Sequence, residues 1–382
     1  MLLIGAGLLL KSFVQLSRVN AGFHPEHLLT MQVDLPHASY PEARQRIEFY
    51  ASVHDRLSAL PGVLAASEVS QLPVNGPSPN GSGGDPFSIE GRPWNPSSAV
   101  PQFAHTMAAG PDYFRAMQIP LLAGRAFNGG DAENSPHVAV INETLARGFF
   151  PKDDAIGQHI MLGAPRSGYP WMTIIGVVGD VKTTALDQET IPQFYAPLTQ
   201  DASPFVSLVI RTTGDPMKMA RQAAAMVHSI DPDRPVYDIQ TMEQHVDTTI
   251  RQPRFVSMIA GFFAGVALFL AAIGIFGVVA HATIQRTREI GLRMALGADA
   301  NRVLGLVIGG GLRPVIGGIA LGIAGALALN RALSSILFQV KADDPATFLL
   351  APAVLIAVAF TACLIPARKA TRIDPMTALR SE

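Results

Sequence analysis

The 382-residue chain has a single cysteine, Cys363, and that residue lies inside an apolar run. No disulfide can form within the chain, so cysteine pairing says nothing about the compartment of its parts. Charge is scarce as well. Asp, Glu, Lys and Arg make up 15% of residues, against roughly 25% in ordinary soluble domains. The charges balance to a formal net of −1, which removes any bulk-electrostatic reason to expect a nucleic-acid partner. There is no Gly-rich phosphate loop ending in Gly-Lys, no G-x-S-x-G elbow and no H-E-x-x-H pair. Nucleotide hydrolysis by a phosphate loop is thereby excluded, and neither a catalytic nor a metal site is expected. His24 and His27 flank Pro25-Glu26 at a spacing that matches no zinc pattern, and read as surface histidines. The pairs Gly84-Asp85 and Gly179-Asp180 read as turns.

What the chain does have is apolar length, concentrated after residue 255. Residues 257–280 contain no charge, and 347–366 form a second uncharged run. A membrane span needs about 20 such residues at 1.5 Å rise each. Between these runs, 303–329 is apolar and Gly-rich but contains Arg313 followed by Pro314. A charge at the bilayer centre is costly, so Arg313 is expected near a membrane face, with 314–329 crossing the hydrocarbon. Gly317, Gly318, Gly322, Gly325 and Ala326 are the positions expected to let neighbouring helices approach. At the start, Lys11 interrupts the apolar run too early for a complete span, and neither a basic leader nor a small-residue cleavage site is present. Residues 1–19 read as the end of a first membrane helix whose beginning is missing.

Positive charge sets the expected orientation. The loop after the first full span carries Arg286, Arg288, Arg293 and Arg302, and the tail carries Arg368, Lys369, Arg372 and Arg380. The loop between the other two spans has Arg331 and Lys341 against Asp343 and Asp344. The two Arg-rich stretches are therefore expected on the cytoplasmic side, which puts 20–254 outside.

That large segment reads as α+β. Alternating or continuous apolar runs suggest strands at 28–35, 63–71, 100–107, 138–142, 171–179 and 205–212. Helices are expected at 41–60, with Pro41 in the first turn and Pro61-Gly62 as the stop, at 217–230, and at 241–254. Asp215 suits the cap of the second helix, with Pro216 just inside and Asp231-Pro232 ending it. Residues 72–101, rich in Pro, Gly, Ser and Asn, read as one long loop.

Two cytoplasmic stretches carry the most information. Residues 285–298 read QRTREIGLRMALGA, interleaving Arg286, Arg288, Glu289 and Arg293 with Ile290, Leu292, Met294 and Leu296. On a helix this is a short amphipathic segment. The residues alone leave two readings open, a solvated basic loop that fixes topology and a helix offered to a cytoplasmic partner. The tail, PARKATRIDPMTALRSE from Pro366, repeats the theme around Asp374-Pro375.

At these two motifs the chain resembles the FtsX-like permease family, in its MacB-like branch, and 20–254 is similar to that branch's periplasmic core domain. The D-Y-F run at Asp112 and the I-I-G-V-V-G-D-V run from Ile174 belong to the same likeness. The resemblance implies an α-helical transmembrane bundle, three full spans plus a truncated first one, with an α+β periplasmic core domain. Its domains would be 1–19, 20–254 and 255–382, with a coupling segment at 285–298 and a cytoplasmic tail at 366–382. It implies a multi-pass permease of the bacterial inner membrane that binds no cofactor itself and works with a cytoplasmic ABC ATPase holding the ATP. A second permease unit, as a homodimer or a fused or paired half, and membrane lipid are further implied partners, with a periplasmic adaptor or outer-membrane channel in export systems. ATPase coupling is carried over to Thr287, Arg288, Glu289, Ile290, Gly291, Leu292 and Arg293, and tail contacts to Arg368, Arg372, Asp374 and Pro375. A mechanical signalling subunit, and a membrane-anchored enzyme with an external active site, stay open beside export.

Overall fold

The computed structural model describes residues 1–76, 84–94, 102–151, 154–165, 167–285, 300–328 and 344–370. The chain divides into a helical unit, Met1–Arg18 with Arg251–Glu382, and an α+β unit, Val19–Ile250. In chain order the first elements are α1 (Leu2–Leu16), β1 (Leu28–Asp34), α2 (Ala43–Ser58), β2 (Val63–Val69), β3 (Asp85–Ile89) and β4 (Phe103–Ala109). Next come α3 (Tyr113–Met117), β5 (Leu121–Gly124), β6 (Val138–Asn142), α4 (Glu143–Phe149), β7 (His159–Leu162) and β8 (Met172–Val178). The α+β unit closes with β9 (Gln193–Pro197), β10 (Phe205–Thr212), α5 (Pro216–Ile230) and β11 (Val236–Thr241). The remaining helices are α6 (Met242–Gln285), α7 (Ala300–Ala328) and α8 (Pro345–Ala370).

Alternation along β1 and β10 creates the first lobe. The antiparallel register sets Leu29 opposite Ile210, Met31 opposite Leu208 and Val33 opposite Val206, so six apolar side chains share one face. Phe49, Val53 and Leu57 of α2, one helical face at i, i+4 spacing, cover that face with Ala223 and Val227 of α5. The strand order β11-β1-β10-β2 makes this a split β-α-β arrangement, with everything from β3 to β9 inserted between β2 and β10. On the opposite face the buried Arg211 donates to the carbonyls of Glu26 (2.8 Å), His24 (2.6 Å) and Ala116, tying β10 to the end of α3.

The insertion is the second lobe. Its strands run β4-β3-β7-β8-β6-β9, and β9 returns to β4 in parallel, closing a ring of six strands with β5 added on β8. Closure pairs the edges that a short-stranded sheet would otherwise expose. Phe87, Ile141, Leu145, Ile160 and Ile174 fill its interior.

The six expected strands are all present, but three expectations for this unit need correction. The loop assigned to 72–101 contains β3, whose partners β4 and β7 are distant in sequence and whose Pro86 reads locally as a breaker. The helix expected at 241–254 does not stop there. It runs on to Gln285 through Pro253, because a proline removes one backbone bond while the apolar continuation needs every other one satisfied internally. The first-lobe helix starts at Ala43, with Gln45 accepting the Glu42 N–H, so Pro41 lies just outside it rather than in its first turn. Asp215 caps α5 as expected, accepting from Met217 N–H at 3.0 Å with Pro216 at the first position.

Among the described residues three helices are long and apolar enough to cross a membrane, Pro253–Gln285, Ile308–Ala328 and Pro345–Ile365. The middle span starts before Pro314, because α7 is continuous through that residue, and the exposed Arg313 lies within it. Exposure on the helix surface leaves its long stem free to carry the charge toward a membrane face. α1, with 15 helical residues, is shorter than a span.

Candidate coupling interface

Thr287, Arg288, Glu289, Ile290, Gly291, Leu292 and Arg293 lie outside the described residues, as do Arg372, Asp374 and Pro375. Of the expected contact residues, Arg368 is described, exposed on the last turns of α8. The structure describes the helix ends that flank these segments.

α6, α7 and α8 meet at Val279, Ile308 and Cys363, backed by Ile275, Leu312 and Leu364. A Cβ added at Gly311 would lie 2.7 Å from Val279 Cγ2 and 2.8 Å from Cys363 Sγ, so only glycine permits this approach. Val279 is near the last turn of α6, Ile308 near the first turns of α7, and Cys363 near the last turns of α8. Segments 286–299 and 371–382 consequently leave from the same end of the three-helix unit. The closing turn of α6 is held by Thr283, whose hydroxyl donates to Val279 O at 2.7 Å.

A second cluster marks the opposite end, where Ile4 and Leu8 of α1 pack with Ala326 of α7 and Ala351 of α8. Ser257 of α6 donates to Leu9 O at 3.2 Å. Asp344 caps α8 by accepting from the Thr347 N–H (3.0 Å) and hydroxyl (2.8 Å), while Lys11 Nζ donates to its other oxygen at 2.6 Å. The Lys11 ammonium, with the Thr347 donors, holds the Asp344 carboxyl below its ordinary range. The glycines singled out from sequence divide accordingly. Gly322 and Gly325 face Met1 and Ala326 joins the cluster, whereas Gly317 and Gly318 have open space where a Cβ would be. Gly311, where three helices touch, was not among them. A Gly309-Gly310-Gly311 run beside an arginine gives no periodic signal, since it depends on which neighbour arrives.

The first turn of α6 is locked into the α+β unit. Thr241 and Gln244 cap it reciprocally, the Thr241 hydroxyl accepting Gln244 N–H (3.1 Å) and the Gln244 side chain accepting Thr241 N–H (3.0 Å). Met242 is fully buried, and the buried His245 sets Nε2 3.1 Å from Pro73 O. Burial lowers the His245 pKa below its ordinary value, so at neutral pH the ring is uncharged and Nε2–H donates to that carbonyl.

The remaining residues considered from sequence have structural surroundings. His24 and Glu26 are exposed, 3.9 Å apart, and His27 Nδ1 lies 3.1 Å from Gly214 O. Asp180 accepts from the Thr144 N–H (2.8 Å) and hydroxyl (2.7 Å) in the first turn of α4. Among the described residues, no group of three or more His, Cys, Asp or Glu is placed to hold a metal ion.

Comparison with known proteins adds two family matches. Residues 1–227 match the MacB-like periplasmic core domain, and residues 261–375 match the FtsX-like permease C-terminal domain. The chain is 28% identical over 284 residues to the uncharacterized ABC transporter permease YknZ of Bacillus subtilis (strain 168), covering 71% of this chain and 68% of that one. It is 28% identical over 291 residues to the macrolide export ATP-binding/permease protein MacB of Azoarcus sp. (strain BH72), covering 71% of this chain and 42% of that one. It thus spans less than half of that longer relative. Among solved structures, it is similar to the periplasmic region of MacB from Actinobacillus actinomycetemcomitans. That match has 13% identity and a TM-score of 0.40, over 61% of this chain and 97% of that one.

Proposed function

The chain belongs to the family of MacB-like and FtsX-like ABC transporter permeases, and from that premise we propose that it converts ATP hydrolysis by a separate ATPase into movement of its α+β unit. In this reading it sits in the bacterial inner membrane with that unit on the periplasmic side, and itself binds no nucleotide. The observation that carries the proposal is the common end of α6, α7 and α8 at Val279, Gly311 and Cys363. Segment 286–299 and the tail leave from that end, so one partner can engage both.

Transmission then runs along α6. Its first turn is fixed by Met242, His245 and the Thr241–Gln244 cap, and it is helical without a break to Gln285, immediately before the contact segment. A helix carries displacement along its axis, and Pro253, which removes one backbone bond, marks where it bends most easily. Thr287 to Arg293 form the contact, with Glu289 paired to a basic residue of the ATPase and Ile290 and Leu292 buried in its groove.

Losing one partner of a desolvated charge pair costs about 2–5 kcal/mol of binding. Glu289→Lys is therefore expected to abolish co-purification of the cognate ATPase while membrane expression is unchanged. Full ATPase recovery by both Glu289→Lys and the pair Ile290→Asp, Leu292→Asp would show that 285–298 is a solvated loop and the coupling assignment wrong.

A further inference from the structure

A cavity of about 560 Å³ opens inside the α+β unit, between α2, β2 and the loops that follow β4, β5 and β9. That is the size of a small-molecule pocket. Its walls divide sharply. Tyr50, Phe127 and Leu198 supply apolar surface, while Asp55, Glu68 and Asp112 supply carboxylates, and the lining contains no Lys or Arg.

Glu68 is the unusual member. It points from a strand into the cavity with 2% of its surface exposed, and its Oε1 is buried without any hydrogen-bond partner. A buried acceptor left unpaired costs about 1–3 kcal/mol, and for a carboxylate more. His54 offsets part of its charge from the Oε2 side but leaves Oε1 unpaired. The ring stands between two carboxylates, Nδ1 3.7 Å from Glu68 Oε2 and Nε2 3.7 Å from Asp112 Oδ2, too far on either side for a hydrogen bond. Because the two ring nitrogens point in opposite directions, Glu68 and Asp112 cannot share one metal ion with them. Asp112 has its own partner, Arg115 at 2.9 Å.

The surrounding backbone is shaped to this carboxylate. Gly110 donates its N–H to Glu68 O at 2.8 Å, and a Cβ at Gly110 would stand 2.6 Å from Glu68 Oε2, so the side chain fits only because residue 110 is glycine. The opposite wall is equally fixed. Arg125 grips Asp131 through two bonds of 2.8 and 2.7 Å, and Asp131 takes the Asn128 N–H at 2.9 Å, holding Phe127 to Gly129 in place.

We propose that this cavity is a binding site for an organic cation, an ammonium on an apolar or aromatic stem, with Glu68 as its charge partner. The ammonium N–H groups donate to Glu68 Oε1, and the stem lies against Tyr50, Phe127 and Leu198. The same chemistry is offered by a free amine and by a lysine side chain of a peptide. The site stands independently of the ATPase reading. Burial raises the Glu68 carboxyl above its ordinary range. Affinity therefore falls as pH drops and Glu68 takes up a proton, while the neighbouring Glu68 carboxylate already favours the charged form of His54; Asp55, Asp112 and Arg115 are the other charged groups facing this end.

Isothermal titration of the full chain in lipid nanodiscs, with empty nanodiscs as blank, tests it with three probes: phenethylammonium, the neutral phenethyl alcohol, and N-acetyl-Phe-Lys amide. At least one cationic probe is expected to bind at least about tenfold more tightly than the alcohol, and Glu68→Gln to weaken it by about tenfold. Asp112→Asn, already paired to Arg115, has the smaller effect. Binding of the amine alone identifies a small molecule as the source, and binding of the dipeptide alone a protein lysine. The proposal is overturned if neither cation binds at millimolar concentration, if the alcohol binds as well, or if folded Glu68→Gln binds unchanged. Should Glu68→Gln fail to fold, the amine–alcohol difference on the unaltered chain decides the matter.

Discussion

Leu29, Met31, Leu208 and Ile141 of the α+β unit have no exposed surface, whereas Phe262, Phe269, Leu321 and Leu349 of the helical unit expose 67%, 66%, 77% and 73% of theirs. Within an 18-residue apolar stretch of each span, 11%, 11% and 17% of residues are buried by the chain itself. The first unit solves its packing alone, with a helix-covered sheet and a closed ring of strands. Among the described residues the second packs in two small clusters at opposite ends, and in water its apolar surface would be prohibitive. Lipid, or a second copy, is the natural cover for such a surface. The same apolar residue type thus acts through packing in one unit and through solvent preference in the other.

The largest break of this contrast is expected in the α+β unit. Arg211→Leu leaves the carbonyls of His24, Glu26 and Ala116 without their donor, each costing about 1–3 kcal/mol. Urea unfolding followed by protease susceptibility of this unit should register the loss. A change within about 0.5 kcal/mol would mean that water replaces the guanidinium and that this lobe is less self-sufficient than its burial indicates.

In the helical unit the contrast narrows to glycine against glycine. Gly311→Ala forces a Cβ into Val279 and Cys363, an overpacking worth about 1–3 kcal/mol. Gly318→Ala meets open space and gains up to about 1 kcal/mol of helix propensity. Thermal stability in nanodiscs should therefore fall for the first and hold or rise for the second. Equal behaviour would remove the three-helix junction as a specific contact.

The smallest effect is one of pH. Burial pushes the Asp131 carboxyl up, but Arg125 and the Asn128 N–H outweigh it and hold the carboxyl below its ordinary value. A depressed folded value contributes stability that is complete above about pH 4 and is lost as pH falls through it. Asp131→Asn should flatten that acid limb of the unfolding curve by a modest amount, since Arg125 is partly exposed. An unaltered acid limb would assign it to other carboxylates.

How much was legible beforehand follows from the range of each signal. β1 and β10 announce themselves by alternation, and Asp215-Pro216 announces α5, because both signals are local. β3 escaped, since Asp85–Ile89 is five residues with a proline and becomes a strand through β4 and β7. The coupling segment was read from charge interleaved with apolar residues and from family likeness, and 286–299 lies outside the described residues. His245, Gly311 and Arg211 carried no motif, and the cavity at Glu68 brings together residues from α2, β2 and three loops.

The sequence alone determined that this chain is a membrane protein and where two of its apolar spans lie, after residues 255 and 345, because insertion depends on the uninterrupted length of apolar residues, a property of neighbours in the chain. It also determined the charge bias of the flanking loops. Only the tertiary structure decided that β9 closes the ring on β4, that Gly311 is the point where three helices touch, and that a glutamate on β2 ends buried beside a histidine with one oxygen unpaired. Each of these depends on which distant segment arrives to exclude water, and no local period in the chain encodes that.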